Sequence, residues 1–209
     1  MKDERKKIPE VVVRRIPKYY KLLSYLESKG VDRISSSEMA EMLGITASQV
    51  RQDFSHLGAF GQQGYGYKIS GLKEEIKYIV GLTRTYNAVI VGGGHIGQAL
   101  ANYKGFKAES VNVLAIFDID VNVVKAPNDV PVLDVLEFEN FVKENEVDIC
   151  IITTNINSAE EIENLAKKNK IPAIWNFTHK EMKSDDITIV ENVNLSDSIF
   201  ALIFMMNNY

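Results

Sequence analysis

The chain has 209 residues, 45% hydrophobic and 25% charged, which is the balance of a globular protein and argues against a disordered or fibrous one. No run approaches the roughly 20 apolar residues a membrane span needs, and the charged start Met1–Lys7 leads into no uninterrupted apolar stretch, so neither a membrane helix nor a secretory signal is expected. The net charge of −4 is uneven: residues 1–85 carry 15 Lys+Arg against 10 Asp+Glu, net +5, while 86–209 carry 9 against 18, net −9, as expected of a polyanion-binding module joined to something else.

In chain order, residues 8–30 have helical spacing, with Ile16, Tyr19, Tyr20, Leu22, Leu23 and Leu26 recurring before Gly30. Pro17 implies a kink there or a helix that begins at it. Ser35-Ser36-Ser37-Glu38 is a capping box that opens a short helix, and Gly44 is its natural stop. Thr46-Ala47-Ser48-Gln49 is a second box, opening a helix with Val50, Phe54 and Leu57 inward that ends at Gly58. Two capped helices joined by a glycine-containing turn make a helix-turn-helix. Residues 60–67 alternate glycine with aromatics and predict a β-hairpin, the wing of a winged helix, with a further helix over about 72–82. From Ala88 the pattern changes. Apolar runs at 88–91, 111–117, 147–152 and 171–175 alternate with helical stretches at 96–104, 134–145 and 158–169, which predicts a parallel sheet covered on both faces. The single cysteine, Cys150, excludes an internal disulfide and a cysteine zinc site, suits a reducing cytoplasm, and sits in an apolar run as a small core residue. The tail 195–206 is a helix with Ser196 or Asp197 as its N-cap and is apolar on almost every face. Its cover is either a partner subunit or the seam between the chain's own domains.

Two motifs carry chemistry. Gly92-Gly93-Gly94-His95-Ile96-Gly97 follows an apolar strand and opens a helix, fitting G-x-G-x-x-G with Gly92, Gly94 and Gly97. In such a turn the first glycine allows the bend, the second lets backbone approach a pyrophosphate, and the third permits close helix packing. The next apolar strand ends at Asp118, 21 residues beyond Gly97, where a carboxylate can hold two ribose hydroxyls. No Arg follows Asp118 to accept a 2′-phosphate, so NAD(H) is expected over NADP(H); FAD and S-adenosylmethionine stay open from the fingerprint alone. In the second capped helix Ser48, Gln49, Arg51, Gln52 and Ser55 fall between the apolar positions, donors and acceptors suited to base edges. Arg14, Arg15 and Lys18 are placed to reach phosphates, as is Lys68 in the wing.

The chain resembles the Rex family of bacterial redox-sensing transcriptional repressors along nearly its whole length. The matching segments are Arg15-Ile-Pro-Lys-Tyr-Tyr20, Arg33-Ile-Ser-Ser-Ser-Glu38, Gln49-Val-Arg-Gln-Asp53, Gly58-Ala-Phe-Gly61, Gly64-Tyr-Gly-Tyr67, Gly92–Gly97, Asn102-Tyr-Lys-Gly-Phe106, Phe117-Asp-Ile-Asp120 and Trp175-Asn-Phe177. The resemblance implies a homodimer on a palindromic operator in double-stranded DNA, released when NADH occupies the Rossmann domain, with the C-terminal helix exchanged between protomers. It adds Tyr103 to the cofactor-binding set and Gln62 and Tyr67 to the DNA-binding set. The chain departs from the family at Gly93 and His95 in the glycine loop, at Thr154-Asn155 where a Val-Pro pair is usual, and at Thr178-His179.

The expectation is therefore an α/β protein: a winged helix-turn-helix domain over 1–85, a Rossmann domain over 86–193, and a swapped dimer helix over 194–209. Its function is that of a cytoplasmic repressor sensing the NADH/NAD ratio, with no metal. Two alternatives are a DNA-binding module whose Rossmann domain only dimerises, and a small NAD-dependent dehydrogenase. For the latter, only His179 is placed to act as an acid or base, with Asp185 or Asp186 as orienter, and 86–209 leaves no substrate domain. An enzyme is not expected.

Overall fold

A computed structural model describes residues 8–58, 65–122, 124–127 and 129–208. The chain divides between Thr83 and Arg84 into two compact units, each built around its own apolar clusters.

The first unit opens with α1 (Glu10–Val13) and α2 (Ile16–Ser28), so the periodic stretch 8–30 is two helices broken at Arg14–Arg15. Pro17 decides the break. It lacks an N–H to donate, which costs nothing only in a first turn, and it stands in the first turn of α2. After β1 (Arg33–Ile34) comes α3 (Ser36–Leu43), closed at its start by the complete capping box. Ser35 Oγ accepts the Glu38 N–H at 3.1 Å, and the Glu38 carboxylate accepts the Ser35 N–H at 2.8 Å. Those bonds hold the Glu38 carboxyl below its ordinary pKa. α4 (Ala47–His56) starts at Thr46, whose Oγ1 accepts the Gln49 N–H at 3.2 Å. β2 (Tyr67–Lys68) runs antiparallel to β1, with Ile34 opposite Tyr67, and leads into α5 (Ile69–Val80). The returning arm of the wing is thus tied to the strand ahead of the helix pair. The rest of the expected hairpin, 59–64, lies outside the described residues. Phe54 of α4 centres the core, its ring 4.9 Å from those of Tyr19 and Tyr67.

The second unit is a six-stranded, wholly parallel sheet in the order β5-β4-β3-β6-β7-β8. The strands are β3 (Tyr86–Val91), β4 (Val111–Asp118), β5 (Val132–Asp134), β6 (Ile149–Ile152), β7 (Ala173–Asn176) and β8 (Ile189–Asn192). Strand side chains alternate between faces. Val89, Val91, Phe117, Cys150 and Ile152 therefore join one apolar cluster, and Ala88, Ile90, Ile116 and Ile151 the other. This two-sided burial is why the central strands have continuous apolar sequences. The first cluster is covered by α8 (Phe138–Glu144) and α9 (Ile156–Lys168), through Phe138, Ala159, Ile162 and Ala166. The second takes Leu100 from α6 (His95–Ala101) and Phe106 from α7 (Gly105–Ala108). Cys150 is buried, and burial pushes its thiol up to about 12, the inert core residue expected.

The edge strands β5 and β8 escape the sequence pattern, because they are short and half exposed. A buried amide secures β8: Asn176 donates to Asn192 Oδ1 at 2.8 Å and to the Lys180 carbonyl at 2.6 Å. The tail forms α10 (Leu195–Asn208), and none of its residues is buried. Its first bond comes from Asn194, whose Oδ1 accepts the Ser196 N–H at 3.0 Å, so the cap precedes the expected Ser196 or Asp197. Among the described residues no helix is long and apolar enough to cross a membrane.

Candidate functional site

In the second unit the strand order reverses between β3 and β6, the switch point where parallel α/β sheets bind ligands. The glycine turn lies there. Gly92 holds φ +105°, and a Cβ on it would stand 2.7 Å from the Thr153 carbonyl carbon and 2.8 Å from the Thr154 nitrogen. Only glycine lets the turn ride that closely over the end of β6. A Cβ at Gly97 would collide with the Gly92 carbonyl, which brings α6 close to the strand. At Gly94 a Cβ would meet no heavy atom within 4 Å, so that side of the turn is open.

Beside the turn is a cleft of about 450 Å³. Gly92, Gly94, Asp118 and Ile119 form one side, Val135 and Leu136 of the 3₁₀ turn after β5 an apolar wall, and Thr153, Thr154 and Asn155 the end of β6. Asp118 Oδ2 accepts the Gly93 N–H and Oδ1 the Asp120 N–H at 3.0 Å, which fixes the carboxylate at the rim. Glu139 and Glu161 add negative charge; ion pairs with Lys168 and Lys143 hold the Glu139 carboxyl below its ordinary range. The cleft combines an open glycine turn, an apolar wall and a fixed carboxylate, the parts needed for a diphosphate, a flat ring and a ribose diol.

The expected cofactor set divides. Gly92, Gly94 and Asp118 line the cleft, while Gly93 is buried against Val124 and Gly97 packs under the turn. His95 and Ile96 are exposed on the first turn of α6 without lining the cleft. Tyr103 does not line the cleft. It stands past the far end of α6, its ring over Gly105 and edge-on to Phe106 at 5.2 Å, and it lines a separate depression with Lys104, Lys107 and Val113. The seven residues of α6 separate it from the glycine turn. Val135, Leu136 and Thr153 were missed, since apolar residues near a turn and a hydroxyl after a strand show no pattern of their own, while Thr154-Asn155, singled out as a departure from the family, lines the cleft.

In the first unit, Ser48, Arg51, Gln52 and Ser55 are exposed along α4 and Gln49 is half buried. Arg51 donates to Ser36 Oγ at 3.1 Å, which leaves most of its fork available. Lys68 is exposed at the start of α5, and Arg14 is exposed beside Glu10. Tyr67 is half buried with its ring on Phe54; burial raises its hydroxyl's pKa and the Arg51 charge opposes that. Gln62 lies outside the described residues.

Arg15, expected at phosphates, is engaged within the unit. Its Nε and Nη2 grip the two carboxylate oxygens of Asp53 at 2.7 and 2.6 Å, and Tyr19 donates to the same carboxylate at 2.6 Å. Asp53 is 1% exposed. A buried carboxylate must be paired and hydrogen-bonded, and here the planar guanidinium does most of that work. Burial and the bond to Asp53 raise the Tyr19 pKa, and the same carboxylate raises that of Arg15. Arg15 thus ties the start of α2 to α4 through Asp53. Asp53 and Tyr19, missed as a pair, are 34 residues apart and only the fold joins them.

Two family models match the chain: "Putative DNA-binding protein N-terminus" over residues 7–55 and "CoA binding domain" over 83–180. Among curated relatives, the redox-sensing transcriptional repressor Rex of Clostridium novyi is 40% identical over 99% of both chains. That of Clostridioides difficile is 43% identical over 96% of both. The crystal structure of RSP in complex with β-NAD⁺ and operator DNA superposes with a TM-score of 0.90 at 41% identity, covering 96% of this chain and 93% of that one. RSP in complex with β-NADH superposes at 0.87 with 38% identity, covering 97% and 96%. Full-length identity at this level, with both units in the same order, settles the relationship: the chain belongs to the Rex family of redox-sensing transcriptional repressors.

Proposed function

We propose that this protein is a transcriptional repressor that binds a palindromic operator as a homodimer and leaves it when NADH fills the β3–β6 cleft. The observation that carries the reading is the pairing, in one chain, of an exposed polar face on a capped recognition helix with an open glycine turn beside a fixed carboxylate. A related chain 41% identical was crystallised with both NAD⁺ and operator DNA. Residues 1–85 serve as the DNA-binding domain, 86–193 as the dinucleotide domain, and 194–209 as the dimer helix, acting in the cytoplasm.

In this reading Arg51 and Gln52 address base edges with Ser48, Gln49 and Ser55 beside them, while Lys68 and Arg14 contact phosphates. Gly92 and Gly94 admit the diphosphate, Asp118 takes the adenosine ribose diol, and Val135 and Leu136 cover the adenine. NAD(H) supplies the redox signal, and the chain needs only to bind its two forms differently. Relatives of 40–43% identity are named repressors, and the protein is not an enzyme. The dimer follows from α10, on which Phe200 is 66% and Met206 74% exposed. A helix apolar on nearly every face and uncovered by its own chain needs a second surface, and a second copy supplies one.

The test is a mobility-shift titration of operator DNA at varied NADH/NAD⁺ ratio. Release on raising NADH is expected; operator affinity indifferent to saturating NADH would overturn the sensor reading and leave a domain that only dimerises.

A further inference from the structure

Two consecutive threonines follow β6, and their hydroxyls differ in what they do. Thr153 Oγ1 donates to the Gly92 carbonyl at 2.6 Å and lies 3.2 Å from that of Val91, so it is used in holding the glycine turn to the sheet. Thr154 Oγ1 holds nothing. Among the described residues it is the one buried side-chain nitrogen or oxygen with no hydrogen-bond partner. Its residue lines the cleft with Asp118, Gly92 and Gly94, and its backbone nitrogen lies 2.8 Å from where a Gly92 Cβ would be. The residue lines the same cleft as the glycine turn and the Asp118 carboxylate with its hydroxyl enclosed, so rotation about the Cα–Cβ bond is what brings that hydroxyl to a ligand there.

A buried hydroxyl without a partner destabilises a folded protein, and side chains kept in that state call for an explanation. Packing does not supply one here, because valine has the same shape and no group to satisfy. A ligand oxygen does. The nearest ligand chemistry is the diphosphate–ribose portion of a dinucleotide, rich in acceptors, lying between the glycine turn and Asp118. We infer that the Thr154 hydroxyl hydrogen-bonds to this portion of the bound nucleotide and adds to its affinity, an inference that rests on the dinucleotide reading above. The contact belongs to the part common to NADH, NAD⁺ and ADP-ribose, so it sets how tightly the cleft holds any of them rather than which redox form it prefers.

The experiment compares full-length wild type, Thr154→Val and Thr154→Ser by calorimetric titration with NADH and with ADP-ribose, and by thermal unfolding with and without each. Thr154→Val is expected to bind both probes about 3- to 10-fold more weakly, the worth of one net hydrogen bond. Its ligand-free unfolding midpoint should equal or exceed that of wild type, since an unsatisfied polar group has been removed. Thr154→Ser, which keeps the hydroxyl, should bind within about twofold of wild type. Unchanged affinity in Thr154→Val would overturn the inference, and so would equal weakening in both variants, which would trace the effect to the γ-methyl group. Weakening toward NADH alone would place the contact at the nicotinamide end and overturn it as stated. A wild-type chain that bound neither probe would instead remove the dinucleotide reading itself.

Discussion

Arg14 and Arg15 are adjacent, carry the same charge and have different duties. Arg14 is exposed on α1's last turn beside Glu10, whereas Arg15 is drawn inward by Asp53. Arg15→Ala would strand a carboxylate that is 1% exposed and should cost about 3 kcal/mol of stability, read by chemical unfolding. Arg15→Lys should recover only part of it, because an ammonium cannot make the two-pronged bond. For the folded fraction, the salt slope of operator binding should stay as in wild type. A slope reduced by about one with stability intact would instead make Arg15 a phosphate contact. Arg51→Ala should leave stability within about 0.5 kcal/mol, cost about 1–3 kcal/mol of operator binding, and relax preference at one base pair. At the other site, Asp118→Ala should weaken NADH and narrow its advantage over NADPH, since both the diol bonds and the repulsion of a 2′-phosphate disappear. Direct titration of the two nucleotides checks this; an unaltered ratio would mean another residue reads the ribose.

Among the elements, α9 shows how packing and charge combine. Glu163 on its buried side is pushed up by desolvation, but bonds from Lys167 at 2.7 Å and Lys180 at 3.0 Å outweigh that and hold it below the ordinary glutamate value. A carboxyl with a lowered folded-state pKa adds stability above its unfolded pKa and loses it as the pH falls. Glu163→Gln should therefore cost about 1–2 kcal/mol at pH 7, and the gap to wild type should close as the pH falls below the ordinary glutamate range. Urea unfolding across pH 3–7 measures it, and a gap constant with pH would assign Glu163 to packing alone. The helix caps at Ser35 and Thr46, the strand–turn–helix at Gly92 and the buried strands were legible because each is decided by neighbours in sequence, although at Thr46 the expected box is present only as its Thr46–Gln49 half. β5 and β8 were not, for short edge strands are held by pairing and by contacts such as Asn176–Asn192 that cross loops.

On the proposed dimer reading, the exposed apolar helix α10 holds the assembly together. Deletion of 195–209 should abolish the dimer, seen by light scattering, together with NADH-responsive operator binding, while the winged-helix unit keeps its fold by circular dichroism. A truncated chain that remained dimeric would place the interface elsewhere. In the intact dimer the linkage is reciprocal: operator DNA should weaken NADH binding by the factor by which NADH weakens operator binding, measurable by titrating each in the presence of the other.

The order of the two units, their opposite charge, the capped helix pair, the glycine turn, the carboxylate that ends β4 and the apolar tail were all legible in the sequence. Apart from the order and charge of the units, which are read over whole domains, each of these is encoded by spacing within about 30 residues, where backbone geometry and side-chain periodicity act directly. Packing alone sets Arg15 against Asp53, puts Tyr103 past the far end of α6, and leaves Thr154 rather than Thr153 with an unpartnered hydroxyl beside the cleft. Those outcomes depend on which distant groups share a buried space. There the cost of an unpaired charge or hydroxyl overrides the local pattern, and only the packed chain brings the partners together.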